Sequence, residues 1–177
     1  MPRTTDFSAI VCSIARAADV VGPSWVPLIL RDVYCGITRF EDLRADLGVA
    51  RAVLSARLTQ LADDGLLEQV AYQESPLRHE YRLTPMGLDL IPVLMALMAW
   101  GDRWLDGGDG APMALRHQAC GQAMTPTVAC DRCGEPLAAD GVDPEPGPGG
   151  RTGPGTALIG SVVMGSVVMG RHRDQRS

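Results

Sequence analysis

Four side chains carry the densest chemistry in this sequence: His117, Cys120, Cys130 and Cys133, spaced His-x2-Cys-x9-Cys-x2-Cys. A Cys-x2-Cys turn can set two thiolates on one ion, and the earlier His/Cys pair completes the four donors of a closed, tetrahedral zinc site. Gly121 and Gly134 each follow a cysteine and allow the left-handed backbone that such knuckles need. The surrounding residues are too few and too polar to fold unaided, so a structural zinc ion is expected to supply stabilisation. A redox-active Cys-x2-Cys and a degenerate remnant remain as alternative readings. No open coordination position is implied, so catalysis does not follow.

A second group of residues has the chemistry of polyanion contact. Arg51, Ser55, Arg57 and Thr59 fall within one predicted helix, with Arg39 before it and Arg78 after it. A guanidinium can grip guanine O6 and N7 together, and hydroxyls serve phosphates or either base edge. Arg78, near a predicted hairpin tip, is placed to enter a minor groove or pair with phosphate. The competing reading is a solvated helix face with local ion pairs. Arg57, next to a core leucine, can instead hold the fold internally. Cys12 stands at the start of a predicted helix, where a thiol can have a lowered pKa and react with oxidants; its alternative is an inert small hydrophobe. No Gly-rich phosphate loop or His-Glu-x-x-His is present, and Asp63-Asp64 reads as a solvated helix end.

The positioning elements follow from periodicity. Ser8–Val20 is predicted as a helix with Ile10, Val11, Ile14, Ala17, Ala18 and Val21 on one side. Gly22-Pro23 stops it, Ser24 is expected to cap a helix Trp25–Tyr34, and Thr38 a short helix Arg39–Asp46. Ala50–Asp63 carries Val53/Leu54, Leu58 and Leu61 as a core stripe. Strands 66–73 and 79–83 flank a Pro-containing loop, and Thr84-Pro85 opens a long helix to about Leu105, with Thr as cap and Pro in the first turn. Leu88, Ile91, Leu94/Met95, Met98 and Trp104 are expected on one side of it, with a kink at Pro92. A helix seated on a leucine stripe and followed by a two-stranded ribbon is the layout of a winged helix, in which one helix enters a DNA major groove. The fold expected is mainly α with a small β-hairpin wing, dimer helices at both ends, a small Cys/His knuckle and a disordered tail.

Composition bounds this reading. The 177 residues carry a formal charge of −5, and all 16 basic residues are arginine. Residues 38–82 hold six arginines against eight acids, so net charge lends DNA contact no support and placement must decide. Five cysteines without an export signal point to a reduced cytoplasmic compartment. The expected division is a winged-helix domain over 8–106, a linker over 107–113, a zinc knuckle over 114–140 and a low-complexity tail over 141–177. The tail repeats Ser-Val-Val-Met-Gly at 161–165 and 166–170.

Residues 12–101 resemble the HxlR family of bacterial winged-helix transcriptional regulators. The resemblance is carried by Cys12-Ser13, Gly22-Pro23-Ser24-Trp25 with Leu28-Ile29-Leu30-Arg31, Arg39-Phe40-Glu41-Asp42-Leu43, Leu54-Ser55-Ala56-Arg57-Leu58 with Gly65-Leu66-Leu67, and Tyr81-Arg82-Leu83-Thr84 with Gly87, Pro92 and Trp100-Gly101. Ser13 stands where the family usually has Pro, and Ser24 where it usually has Lys. The resemblance implies a homodimer built by the first and last helices, acting on a pseudo-palindromic operator as a repressor or dual regulator. It also implies a sensing role for Cys12, since several members use the equivalent cysteine to detect oxidants or quinones. Two rival functions stay open on the sequence: a winged-helix protein-interaction module without DNA binding, and a thiol- or metal-handling protein using residues 117–133.

Overall fold

The computed structural model describes residues 7–145, 147–150 and 154. Most of the predicted tail over 141–177, including both copies of the repeat, lies outside the described residues. The chain forms two compact units. One spans residues 22–128; the described part of the other comprises residues 7–21, 129–145, 147–150 and 154.

In the larger unit, α2 (Val26–Tyr34), α3 (Phe40–Leu47) and α4 (Arg51–Asp63) precede a hairpin of β1 (Leu67–Glu74) and β2 (Leu77–Leu83), followed by α5 (Pro85–Trp104). Its core is built from Val26, Ile29, Leu30, Leu43, Leu54, Leu58, Leu61 and Leu66, all fully or almost fully buried. Each such side chain contributes about 1.5–3 kcal/mol relative to exposure. Leu54, Leu58 and Leu61 seat α4 at the spacing read from the sequence, while Val53 stays exposed.

Two predicted caps are not used. Trp25, not Ser24, takes the N-cap of α2, with φ 78° and no side-chain bond. A main-chain turn from Val26 N–H to Pro23 O (3.1 Å) leaves Ser24 one residue too early to serve the helix. Arg39 takes the cap position of α3 because residues 38–39 pair as extended chain with β2: Tyr81 N–H donates to Thr38 O at 2.8 Å and Arg39 bridges Glu80. Backbone pairing therefore overrides the hydroxyl cap.

The hairpin is tighter than expected, with only Ser75 and Pro76 between the strands and an irregularity at Tyr72 between Ala71 and Gln73. Thr84 caps α5 as predicted, accepting from Gly87 N–H at 3.2 Å. Gly87 lies against the chain entering β1: a Cβ there would meet Leu66 O at 2.3 Å. Around α5, Ile91 is buried and Leu94, Met95 and Met98 are half-buried, but Leu88 and Trp104 are exposed. The unit continues into a short antiparallel pair, β3 (Leu115–Arg116) and β4 (Ala123–Met124).

In the smaller unit, α1 (Ser13–Val21) begins five residues later than predicted, since Ile10 and Cys12 occupy turns closed on Phe7 O and Ile10 O. Buried Asp19 accepts from Phe7 N–H at 3.2 Å. An isolated bridge joins Ala129 to Pro136.

Candidate nucleic-acid interface

The leucine seat of α4 decides which of its polar groups face solvent. Arg51, Ser55 and Thr59 follow one another at intervals of four residues and are all exposed, the Arg51 side chain by 65%. Arg57 is not in that row. It is half-buried, donates from Nη1 to Gln60 Oε1 at 2.9 Å, and its Nε is buried with no hydrogen-bond partner among the described residues. That geometry favours its internal, fold-holding reading.

Arg51 is held by α3. Its guanidinium pairs with Glu41 and lies 5.1 Å from the centre of the Phe40 ring. Glu41 also accepts from Arg44 Nε at 3.1 Å, and the two guanidinium groups, Arg44 foremost, hold its carboxyl below the usual range. Phe40 and Glu41 were not singled out as site residues from sequence; their place immediately after Arg39, at the start of a helix preceding the Arg51 helix, was the available signal.

Arg39 is exposed, and its guanidinium lies 4.4 Å over the ring of Tyr72, the irregular residue of β1. Arg78 projects from the hairpin in register with Gln73 and is exposed. In α2, Asp32 is buried and accepts from Arg31 Nε at 2.8 Å, and Arg31 also reaches Asp46 at 3.6 Å. Burial pushes the Asp32 carboxyl above its ordinary value against the pull of Arg31. Arg51, Ser55 and Thr59 thus form an outward row on α4, with Arg39 at the N-cap of α3 and Arg78 on β2 of the hairpin.

Elsewhere, Cys12 is half-buried, and its carbonyl accepts the first turn of α1 from Arg16 N–H at 3.1 Å. His117 and Cys120 are brought together, Nδ1 to Sγ at 3.4 Å. Around Cys130, main-chain N–H groups of Cys133 and Arg132, then the Cys133 thiol, hold its thiol below the ordinary range. Among the described residues no three His, Cys, Asp or Glu groups converge on one point as a ligand set.

The model of the HxlR-like helix-turn-helix family matches residues 20–109. The chain is 46% identical to the uncharacterized HTH-type transcriptional regulator Rv3095 of Mycobacterium tuberculosis over 137 residues, 77% of this chain and 87% of that protein. Among solved structures it is similar to PA1607, described as a candidate transcription factor, at 35% identity and TM-score 0.70 over 80% of this chain and 99% of that one. It is also similar to the reduced form of the redox regulator HypR, at 25% identity and TM-score 0.51, covering 55% and 98%. Family match, long-range identity and the shared winged helix agree with the exposed row on α4: the chain belongs to the HxlR-like helix-turn-helix family and is a DNA-binding transcriptional regulator, not an enzyme.

Proposed function

We propose that the protein acts as a homodimer on a pseudo-palindromic operator, as a repressor or dual regulator in the cytoplasm. The observation that carries this is the row Arg51, Ser55 and Thr59, exposed on a helix whose other side is locked by three buried leucines. In this reading Arg51 leaves Glu41 to contact a base edge, Ser55 and Thr59 serve bases or phosphates, and Arg39 and Arg78 grip the backbone. Support for a second copy comes from α5, where Val93, Leu97, Trp100 and Trp104 each expose more than half of their surface at helical spacing. Selection of bound sequences from random DNA by the purified protein tests the reading. Two half-sites related by a two-fold axis, one helical turn apart, are expected; enriched sites without symmetry would overturn it.

A thiol switch fits the same frame. Cys12 is a half-buried free thiol at the mouth of α1, and α1 exposes Ile14. Oxidation of Cys12 by a peroxide- or quinone-class oxidant would alter the contact between copies and set the two α4 helices out of step with the groove. Operator affinity of Cys12→Ala should no longer respond to oxidant; an unchanged response would remove Cys12 from the mechanism.

A further inference from the structure

Arg51 is the first residue of α4, the end at which a helix dipole disfavours a cation. Its guanidinium is held there by two residues of α3. Nη2 donates to Glu41 Oε1, and Cζ lies 5.1 Å from the centre of the half-buried Phe40 ring. Glu41 stands in the first turn of α3, where the dipole favours a carboxylate. Arg44 donates from Nε to Glu41 Oε2 at 3.1 Å, so one carboxylate oxygen is fixed within α3 and the other takes Arg51. Of the arginines read as DNA-facing, Arg39, Arg51, Arg57 and Arg78, only Arg51 is in an ion pair among the described residues.

Resting on the reading that Arg51 contacts the operator, we propose that Glu41 is an internal competitor of DNA. Its carboxylate occupies Arg51 in the free protein and thereby lowers operator affinity. A guanidinium already paired within its own chain gains less from a base edge or phosphate, because the ion pair must first be given up. The magnitudes allow the exchange. Both side chains are more than half exposed, 65% for Arg51 and 56% for Glu41. An exposed ion pair shifts an equilibrium by up to about fivefold. A guanidinium fork on the right base discriminates by roughly five- to 150-fold. The operator therefore wins the arginine, at a reduced affinity.

The local arrangement makes this hold firmer than a chance surface pair. Because Arg44 already orients Glu41, less side-chain entropy is lost when Arg51 joins it. The two guanidinium groups keep the Glu41 carboxyl below its ordinary range, so it is charged at neutral pH. The exchange also has an ionic signature. In the free protein Glu41, not a solvent anion, neutralises Arg51, so binding DNA releases fewer counterions than it would with Glu41 uncharged. Asp42, the exposed neighbour of Glu41, carries the same charge but makes no ion pair with Arg51.

The test is fluorescence anisotropy of the full chain over a salt series, on a duplex that the wild type selects from random DNA. Glu41→Gln should bind this duplex about three- to tenfold tighter, with the slope of log K against log salt steeper by about 0.9. In an Arg51→Ala background the same change should alter affinity by less than about twofold, as should Asp42→Asn in the wild type. Thermal melting checks that every variant is folded. Where Arg51→Ala binds less tightly than the wild type, three results would overturn the competitor role alone: unchanged or weaker binding by Glu41→Gln, equal tightening with and without Arg51, or equal tightening by Asp42→Asn. Equal affinity of Arg51→Ala and the wild type would instead refute DNA contact by Arg51, and the competitor role with it.

Discussion

The guanidinium of Arg39, at the head of α3, lies 4.4 Å over the ring of Tyr72, the residue at which β1 departs from regular pairing. A cation over an aromatic face at an exposed site is worth about 0.5–1 kcal/mol. The contact joins the N-cap of α3 to β1 of the hairpin. Tyr72→Ala is expected to weaken operator binding about two- to fivefold and to lower the urea unfolding midpoint by no more than the loss of about 0.5–1 kcal/mol requires. Fluorescence anisotropy on a selected operator checks the first, and a denaturation curve the second.

Arg51 and Arg57 should separate cleanly. Arg51→Ala is expected to cost about 1–3 kcal/mol of operator affinity and relax base preference, with little effect on stability. Arg57→Ala should act on stability instead, since its side chain is half-buried and bonded to Gln60. Binding and thermal melting measured on both variants decide the division.

Gly87 permits close approach rather than flexibility. A methyl group there would stand 2.3 Å from Leu66 O and 2.9 Å from Leu83 Cδ2, forcing α5 away from the root of the hairpin. Gly87→Ala should destabilise the domain by about 1–3 kcal/mol, read as a lower melting temperature.

The exposed row on α5 predicts the oligomeric state. Leu97→Asp combined with Trp100→Asp should give a folded monomer in sedimentation and abolish tight operator binding, because each half-site alone is weakly held. A dimer surviving this double change would move the interface elsewhere.

Two carboxylates should respond oppositely to acid. Glu41 is held below its ordinary 4.5 by Arg44 and Arg51, so its contribution is present above that value and fades as pH falls through the lower folded-state value. Glu41→Gln should therefore draw level with the wild type on acidification. Asp32 is raised above 3.8 by burial, so its contribution is greatest below that value and declines as pH rises through the raised one. Asp32→Asn should lose ground to the wild type on acidification. Urea midpoints measured across the acid range for both variants test the two signs.

Local signals settled much of this protein before any coordinates. Leu54, Leu58 and Leu61 recur at helical spacing, so burying them fixes α4 and its orientation whatever lies opposite. Thr84-Pro85 caps a helix by chemistry internal to one turn. Packing between distant segments decided the rest. Ser24 and Thr38 lost their capping roles to a main-chain turn and to pairing with β2, contacts that no short window contains. α5 is apolar on nearly every side, so hydrophobicity could not say that Ile91 turns inward while Leu88 and Trp104 stay out. Arg57 sits among residues that look as polar as those around Arg51; only the depth of the leucine ridge beside it withdraws it from solvent. Periodicity names the side of a helix that must be covered, and tertiary packing alone sets how far that cover extends.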